Sequence, residues 1–281
     1  FSNFDGDRFY YNFTRGNGAQ RVIVARKDSA VTAVPENGKT YQAHTTFGSG
    51  EEIEPGQFVV YNSNSSGSWI YGLEHSSTYH LAVFEYNQTD TSTFYLTESF
   101  RAGSASTVTG PTQGPSNLIF SNVTGTGMNV GWTRGNGSGR MLIGRAGEPV
   151  NVVPEDLTSY SSSNNFGSGT HLGDGNYILY HGSGTNRAIY NLLPGQTYHF
   201  AIFEYNGSNG KVFLRDSVAR GSQTTQVYPT VAASSFSTSN IDGDRFYYSF
   251  SSGNGNRRMV IARKDSAVTA IPQDNEGYQS N

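Results

Sequence analysis

The chain repeats itself, and that constrains its fold more than any single motif. Arg15-Gly16-Asn17-Gly18 returns as Arg134-Gly135-Asn136-Gly137, Phe47-Gly48-Ser49-Gly50 as Phe166-Gly167-Ser168-Gly169, and Phe84-Glu85-Tyr86-Asn87 as Phe203-Glu204-Tyr205-Asn206. Each offset is 119 residues (15 to 134, 47 to 166, 84 to 203), so one register holds without a gap. A third copy begins near Tyr228: Asp5 to Tyr11 recurs at Asp242 to Tyr248, and Ala25 to Ala33 recurs unchanged at Ala262 to Ala270. The first and third copies resemble each other more than either resembles the second, so the larger unit is an alternating pair of modules. Phe1 aligns with Phe120 and Asn281 with His44. The expectation is a longer parent array that continues in both directions.

One copy reads as short strands separated by turns. Met128 to Trp132 alternates, with Trp132 on the core face. Pro115 to Ile119, Arg140 to Arg145, Tyr177 to Tyr180, Arg187 to Leu192, Thr197 to Tyr205 and Lys211 to Arg215 supply six more strands, and no segment keeps a helical period. A long polar stretch, Ala146 to Asn176, follows the third strand. Composition agrees: 18 Tyr, 17 Phe and 34 Gly suit β-structure rich in turns. A formal net charge of −3 argues against a nucleic-acid partner, and no apolar run is long enough to span a membrane. With 0 Cys there is neither a disulfide framework nor a thiolate metal site.

Leu192-Leu193-Pro194-Gly195-Gln196-Thr197-Tyr198-His199-Phe200-Ala201-Ile202 resembles the end of the fifth strand, the Pro-Gly turn and the corner tyrosine of a fibronectin type III module. Trp132 on the second strand fits the same family. The first copy keeps Leu73, Tyr79, Leu81 and Val83, but has His75-Ser76 for Pro-Gly and Phe13 for Trp. The RGNG, FGSG and FEYN strings look like repeats of large secreted bacterial surface proteins. The resemblance implies an all-β fold of tandem Ig/fibronectin type III-like β-sandwiches with a long insertion after the third strand. The expected modules are 1–109 (lacking its first strand), 110–227 (complete) and 228–281 (the N-terminal part of a third).

Candidate chemistry is sparse. The six histidines include no pair with a nearby acid that repeats across copies; His80 and His199 align, one residue after the corner tyrosine, where they point away from the core. Asp5-Gly6-Asp7 and Asp242-Gly243-Asp244 offer two carboxylates each, short of the six to eight oxygens of a Ca²⁺ site. The second copy has Thr124-Gly125-Thr126 there, so a turn is the preferred reading. Gly135-Asn136-Gly137 leads into no helix and makes no phosphate cradle. Phe84, Tyr86, Phe203 and Tyr205 share the outward parity of His80 and His199. They serve either as a ligand platform or, preferably, as the surface on which the insertion packs. No catalytic residue, metal or cofactor is expected.

Two structural ion pairs are expected, Arg26 with Glu85 and Arg145 with Glu204, because Arg recurs in all three copies and Glu in both copies that reach it. The core should centre on Trp132, Tyr198, Phe200 and Ile202, with Phe13, Tyr79, Leu81 and Val83 in the first copy. Asp28-Ser29-Ala30, Asp216-Ser217-Val218 and Asp265-Ser266-Ala267 look like acceptors for O-linked sugars at Ser29, Ser217 and Ser266 in the bacterial groups that use such repeats. The resemblance implies a non-catalytic structural or adhesive segment of an extracellular or cell-surface array. Its partners would be further repeats, copies of itself or surface polysaccharide. The alternative is an ancillary spacer or carbohydrate-binding region of a secreted polysaccharide-degrading enzyme.

Overall fold

The computed structural model describes residues 1–274 and 276–279 and divides into two compact units, 1–226 and 227–281. Asn275, Ser280 and Asn281, including the expected end of the third module, lie outside the described residues. Within the first unit, eight strands precede residue 107: β1 (Phe9–Asn12), β2 (Gln20–Lys27), β3 (Glu52–Glu54), β4 (Gln57–Ser63), β5 (Gly67–Ile70), β6 (Thr78–Gln88), β7 (Thr93–Tyr95) and β8 (Arg101–Ser106). Eight more follow: β9 (Ser116–Ser121), β10 (Met128–Thr133), β11 (Gly139–Ala146), β12 (Asn176–Gly182), β13 (Asn186–Ile189), β14 (Thr197–Asn206), β15 (Val212–Phe213) and β16 (Ala219–Thr224). No helix occurs among the described residues, so none is long and apolar enough to cross a membrane.

In the second module β13-β10-β9 form one sheet and β12-β11-β14 the other, with β15 and β16 both paired to β14. The first module repeats this: β1 pairs β5, and β4-β2-β6 carry β3, β7 and β8 at the margins. Ser2 bridges Tyr10 where β9 pairs β10 in the second module. These are tandem Ig/fibronectin type III-like sandwiches, all-β, with a long segment between the third strand and its neighbour. The seventh strand is displaced from its expected place. Val212–Phe213 makes only a short pairing, and the edge is closed by Ala219–Thr224. Its sequence, ARGSQT, carries no apolar alternation because it is an edge strand facing water.

Each module has two cores. Trp132, Tyr198, Phe200 and Ile202 are buried between the sheets of the second module; Tyr79 and Leu81 are buried in the first, with Phe13 and Val83 at the margin. A second core lies on the outer face of the larger sheet. There Val22, Val24, Ala82, Phe84 and Tyr86 pack against Ala33 and Tyr41 of the insertion. Met141, Ile143, Ala201, Phe203 and Tyr205 do the same with Val150, Val152 and Tyr160. The central strands are therefore buried on both faces, which explains the nearly unbroken apolar run of Phe200 to Phe203.

The second unit contains β17 (Ser234–Ser239) and β18 (Tyr247–Ser251), paired antiparallel. Met259, Val260 and Ile261 are exposed there, whereas their counterparts Val22, Ile23 and Val24 are fully buried.

Candidate functional site

Two of the recurrent strings, the glycine turn and FEYN, converge on one cluster in each module. Antiparallel pairing sets Arg21 directly opposite Glu85 and Arg140 opposite Glu204. Arg140 Nε donates to Glu204 at 2.8 Å, and its Nη2 and Nη1 donate to the carbonyls of Gly137 and Ser183. The Glu204 carboxylate also accepts the backbone N–H of Gly135 at 2.7 Å and of Gly137 at 2.9 Å. Both side chains are sealed from water, at 1 % and 0 % exposure. The first module repeats the plan with Arg21 Nε 2.9 Å from Glu85 and Gly16 N–H donating at 2.7 Å, but Glu85 keeps 14 % exposure.

The expected partners are thereby corrected. Arg26 faces His80 and Arg145 faces His199 across the same strands, five residues from the glutamates' true partners. Arg26 donates to Ala30 O and Thr32, and Arg145 to Pro149 O, tying down the start of each insertion instead. Both arginine positions recur in every copy, so recurrence alone does not separate them. A glutamate at the end of one strand necessarily meets the beginning of its antiparallel neighbour.

The tyrosine corners form as expected. Leu193 N–H donates to the Tyr198 hydroxyl and Glu74 N–H to that of Tyr79, both at 2.9 Å. The turn survives without Pro-Gly: Ser76 adopts φ 57° where Gly195 has φ 72°. The FGSG phenylalanines brace these corners, Phe166 on Tyr198 and Phe47 on Tyr79 with centroids about 5 Å apart.

A second site joins the two sandwiches. Asp5 is only 3 % exposed. Its carboxylate accepts the backbone N–H groups of Ser208 and Asn209, each at 2.8 Å, from the β14–β15 hairpin of the other module. Gly6 N–H donates to Gly210 O at 3.0 Å. A side chain on Gly6 would meet Gly210 O, Leu157 and Val212, so only glycine permits this approach. Burial acts to raise the Asp5 pKa, but backbone donors from Asn209, Gly210, Ser208 and Gly6 outweigh it and hold the carboxyl below its ordinary value. The carboxylate thus receives N–H donors and serves as an anion in a backbone nest.

The linker is clasped as well. Asn136 Oδ1 accepts the N–H groups of Thr112 and Gln113, and Asn206 Nδ2 donates to Thr109 O. Asn254 holds Thr230 and Val231 in the same way inside the second unit. Asn206, the last letter of FEYN, also accepts Ser138 N–H, as Asn87 accepts Ala19 N–H.

Beside the junction, Asn3, Phe4, Arg8, Trp69, Tyr71 and Asn209 line a cleft of about 360 Å³. Trp69 and Tyr71 stack at 5.9 Å with planes 20° apart, and Arg8 lies over Tyr71. Among the described residues no three His, Asp or Glu side chains converge as a metal site would require. Ser29 and Ser266 are exposed, each following an aspartate in the left-handed region, at φ 59° and 60°. Ser217 packs against Gly114 of the linker.

No family model matches the chain, and no curated protein matches it. Among solved structures it is similar to a two-domain fibronectin type III segment of chicken tenascin (14 % identity, 80 % of this chain and 95 % of that one, TM-score 0.27). Others are a fibronectin type III domain of human collagen XX (17 %, 43 % and 99 %, TM-score 0.26) and the central fibronectin type III array of RIM-binding protein (10 %, 85 % and 72 %, TM-score 0.25). The fold assignment stands on the strand order and the two tyrosine corners of the chain itself.

Proposed function

We propose that the chain is a non-catalytic segment of a long extracellular array on a bacterial surface, in which sandwiches act as mechanical spacers or adhesive units. The observation that carries this reading is the junction: the recurrent strings build anchors, linker clasps and an intermodule contact. The Arg140–Glu204 cluster is engaged in holding backbone. The chain's partners are then further repeats of the same kind. Ser29, Ser217 and Ser266, all exposed, are the positions at which O-linked sugars would be carried. Denaturing mass analysis of native material tests the reading. A covalent chain far above 30.5 kDa that carries more of the same repeat is expected. A native 30.5 kDa chain that stays monomeric contradicts it, and mass in excess of the polypeptide reports the sugars.

The aromatic cleft favours a second reading, an ancillary carbohydrate-binding region of a secreted polysaccharide-degrading enzyme. Near-parallel Trp69 and Tyr71 rings beside Arg8, Asn3 and Asn209 provide stacking faces and hydrogen-bonding groups together. Of the two tryptophans only Trp69 is accessible, so intrinsic fluorescence reports on the cleft. A saturable change on titrating soluble neutral polysaccharide, lost in Tyr71→Ala, which keeps the fluorophore, supports this reading; a flat titration of the wild type removes it.

A further inference from the structure

The Asp-Gly-Asp loop occurs in the first and third copies and is replaced by Thr-Gly-Thr in the second. In the first copy it is the clasp: Asp5 is buried on two N–H groups of the Gly207-Ser208-Asn209-Gly210 hairpin tip. In the third copy the same loop, Asp242-Gly243-Asp244, is exposed along its length. It already holds the docking conformation. Asp242 N–H donates to Arg245 O at 2.8 Å, as Asp5 N–H donates to Arg8 O at 2.9 Å. Its Asp242 carboxylate contacts only the N–H of Gly243 beside it among the described residues, a local bond that leaves lone pairs for two further donors.

We propose that Asp242-Gly243-Asp244 is a docking element for the hairpin tip of a further module of the second kind. The fit is specific in chemistry. The partner must present two successive backbone N–H groups and a carbonyl between flanking glycines, because side chains there would fill the space that Asp5, Asp7 and Gly6 occupy. The first module's own hairpin tip, Asn87 to Thr93, lacks those glycines. The Asp-Gly-Asp loop therefore selects modules of the second kind and sets the two-module period. This inference rests on the array reading but uses a different junction from the one already formed.

The test uses whole chains. A ¹⁵N-labelled Asp5→Ala, Asp242→Ala chain has its hairpin vacated and no docking loop of its own. Unlabelled wild-type chain is added up to about 1 mM, the range of effective concentrations that linkers supply within an array. Saturable shifts of the Ser208 and Asn209 amides are expected with wild type and not with unlabelled Asp242→Ala chain. Equal shifts with both chains, or none with either, overturn the proposal. The array reading is scored separately, by the native mass and by whether Asp5→Ala alone shifts those same amides in its own chain. A circular dichroism spectrum matching wild type establishes that the variants are folded.

Discussion

The two sandwiches build the same anchor to different degrees of closure. In the second, Glu204 is fully buried and accepts N–H groups from two glycines of its turn as well as the Arg140 guanidinium. In the first, the Glu85 side chain keeps 14 % exposure and accepts the N–H of Gly16 and the Arg21 guanidinium. Thr112 and Gln113 fold over the second module's turn and are held by Asn136, closing the site from above. A buried carboxylate is tolerated only when its lone pairs are matched, so enclosure and the extra donor come together.

The comparison breaks most visibly at the anchor. Glu204→Gln should cost about 3–5 kcal/mol, since it leaves Arg140 buried without its counter-charge. Glu85→Gln should cost less, about 1–3 kcal/mol, because its side chain keeps 14 % exposure and accepts the N–H of Gly16 alone from the turn. Urea denaturation read by hydrogen exchange in each module separates the two, and equal losses would refute the difference in closure. The same experiment distinguishes the arginines. Arg21→Ala should be severe, while Arg26→Ala should stay within about 1 kcal/mol, as for a partly exposed residue that holds only a loop carbonyl and a threonine hydroxyl.

Cores rank next. Trp132→Ala should cost about 3–5 kcal/mol as a large cavity in a closed core. Phe13→Ala, at the half-buried equivalent position, should cost clearly less, and thermal unfolding of the two variants measures the gap.

The junction gives a pH signature. The Asp5 pKa is depressed in the folded state, so its contribution is complete above the unfolded value of 3.8 and is lost as pH falls through the lower folded value. The Ser208 and Asn209 amides should therefore lose exchange protection at acid pH in the wild type. In Asp5→Asn that protection should be lower at neutral pH and flat across the same window.

The smallest effect is at the corners. Ser76→Gly relieves a non-glycine residue at φ 57° and should stabilise the first module by about 0.5–1 kcal/mol, while Gly195→Ser should weaken the second by a similar amount. Melting temperatures that move in the same direction would show that the two turns are not equivalent.

Strand positions, the inward face of Trp132 and the corner tyrosines are legible in sequence because each depends on local period and turn chemistry. The packing of Phe84 and Phe203 under the insertion is legible too, since outward aromatics at regular spacing need a cover. The ion-pair partners require register, which recurrence does not carry: Arg21 and Arg26 repeat equally well, and only counting back from Glu85 along antiparallel strands selects Arg21. The Ala219–Thr224 strand is silent because an edge has no apolar face to reveal it. The clasp joins residues 203 and 204 positions apart. Its one trace in the sequence is the alternation of Asp-Gly-Asp with Thr-Gly-Thr, legible as a turn but not as half of a contact.

The central claim is that Asp5 fastens the first two sandwiches into one mechanical unit. Backbone ¹⁵N relaxation on the full chain tests it directly. Amides of β1–β8 and of β9–β16 should share one rotational correlation time and one diffusion tensor, and Asp5→Ala should split them into two. Separate correlation times for the two sandwiches in the wild-type chain would contradict the account.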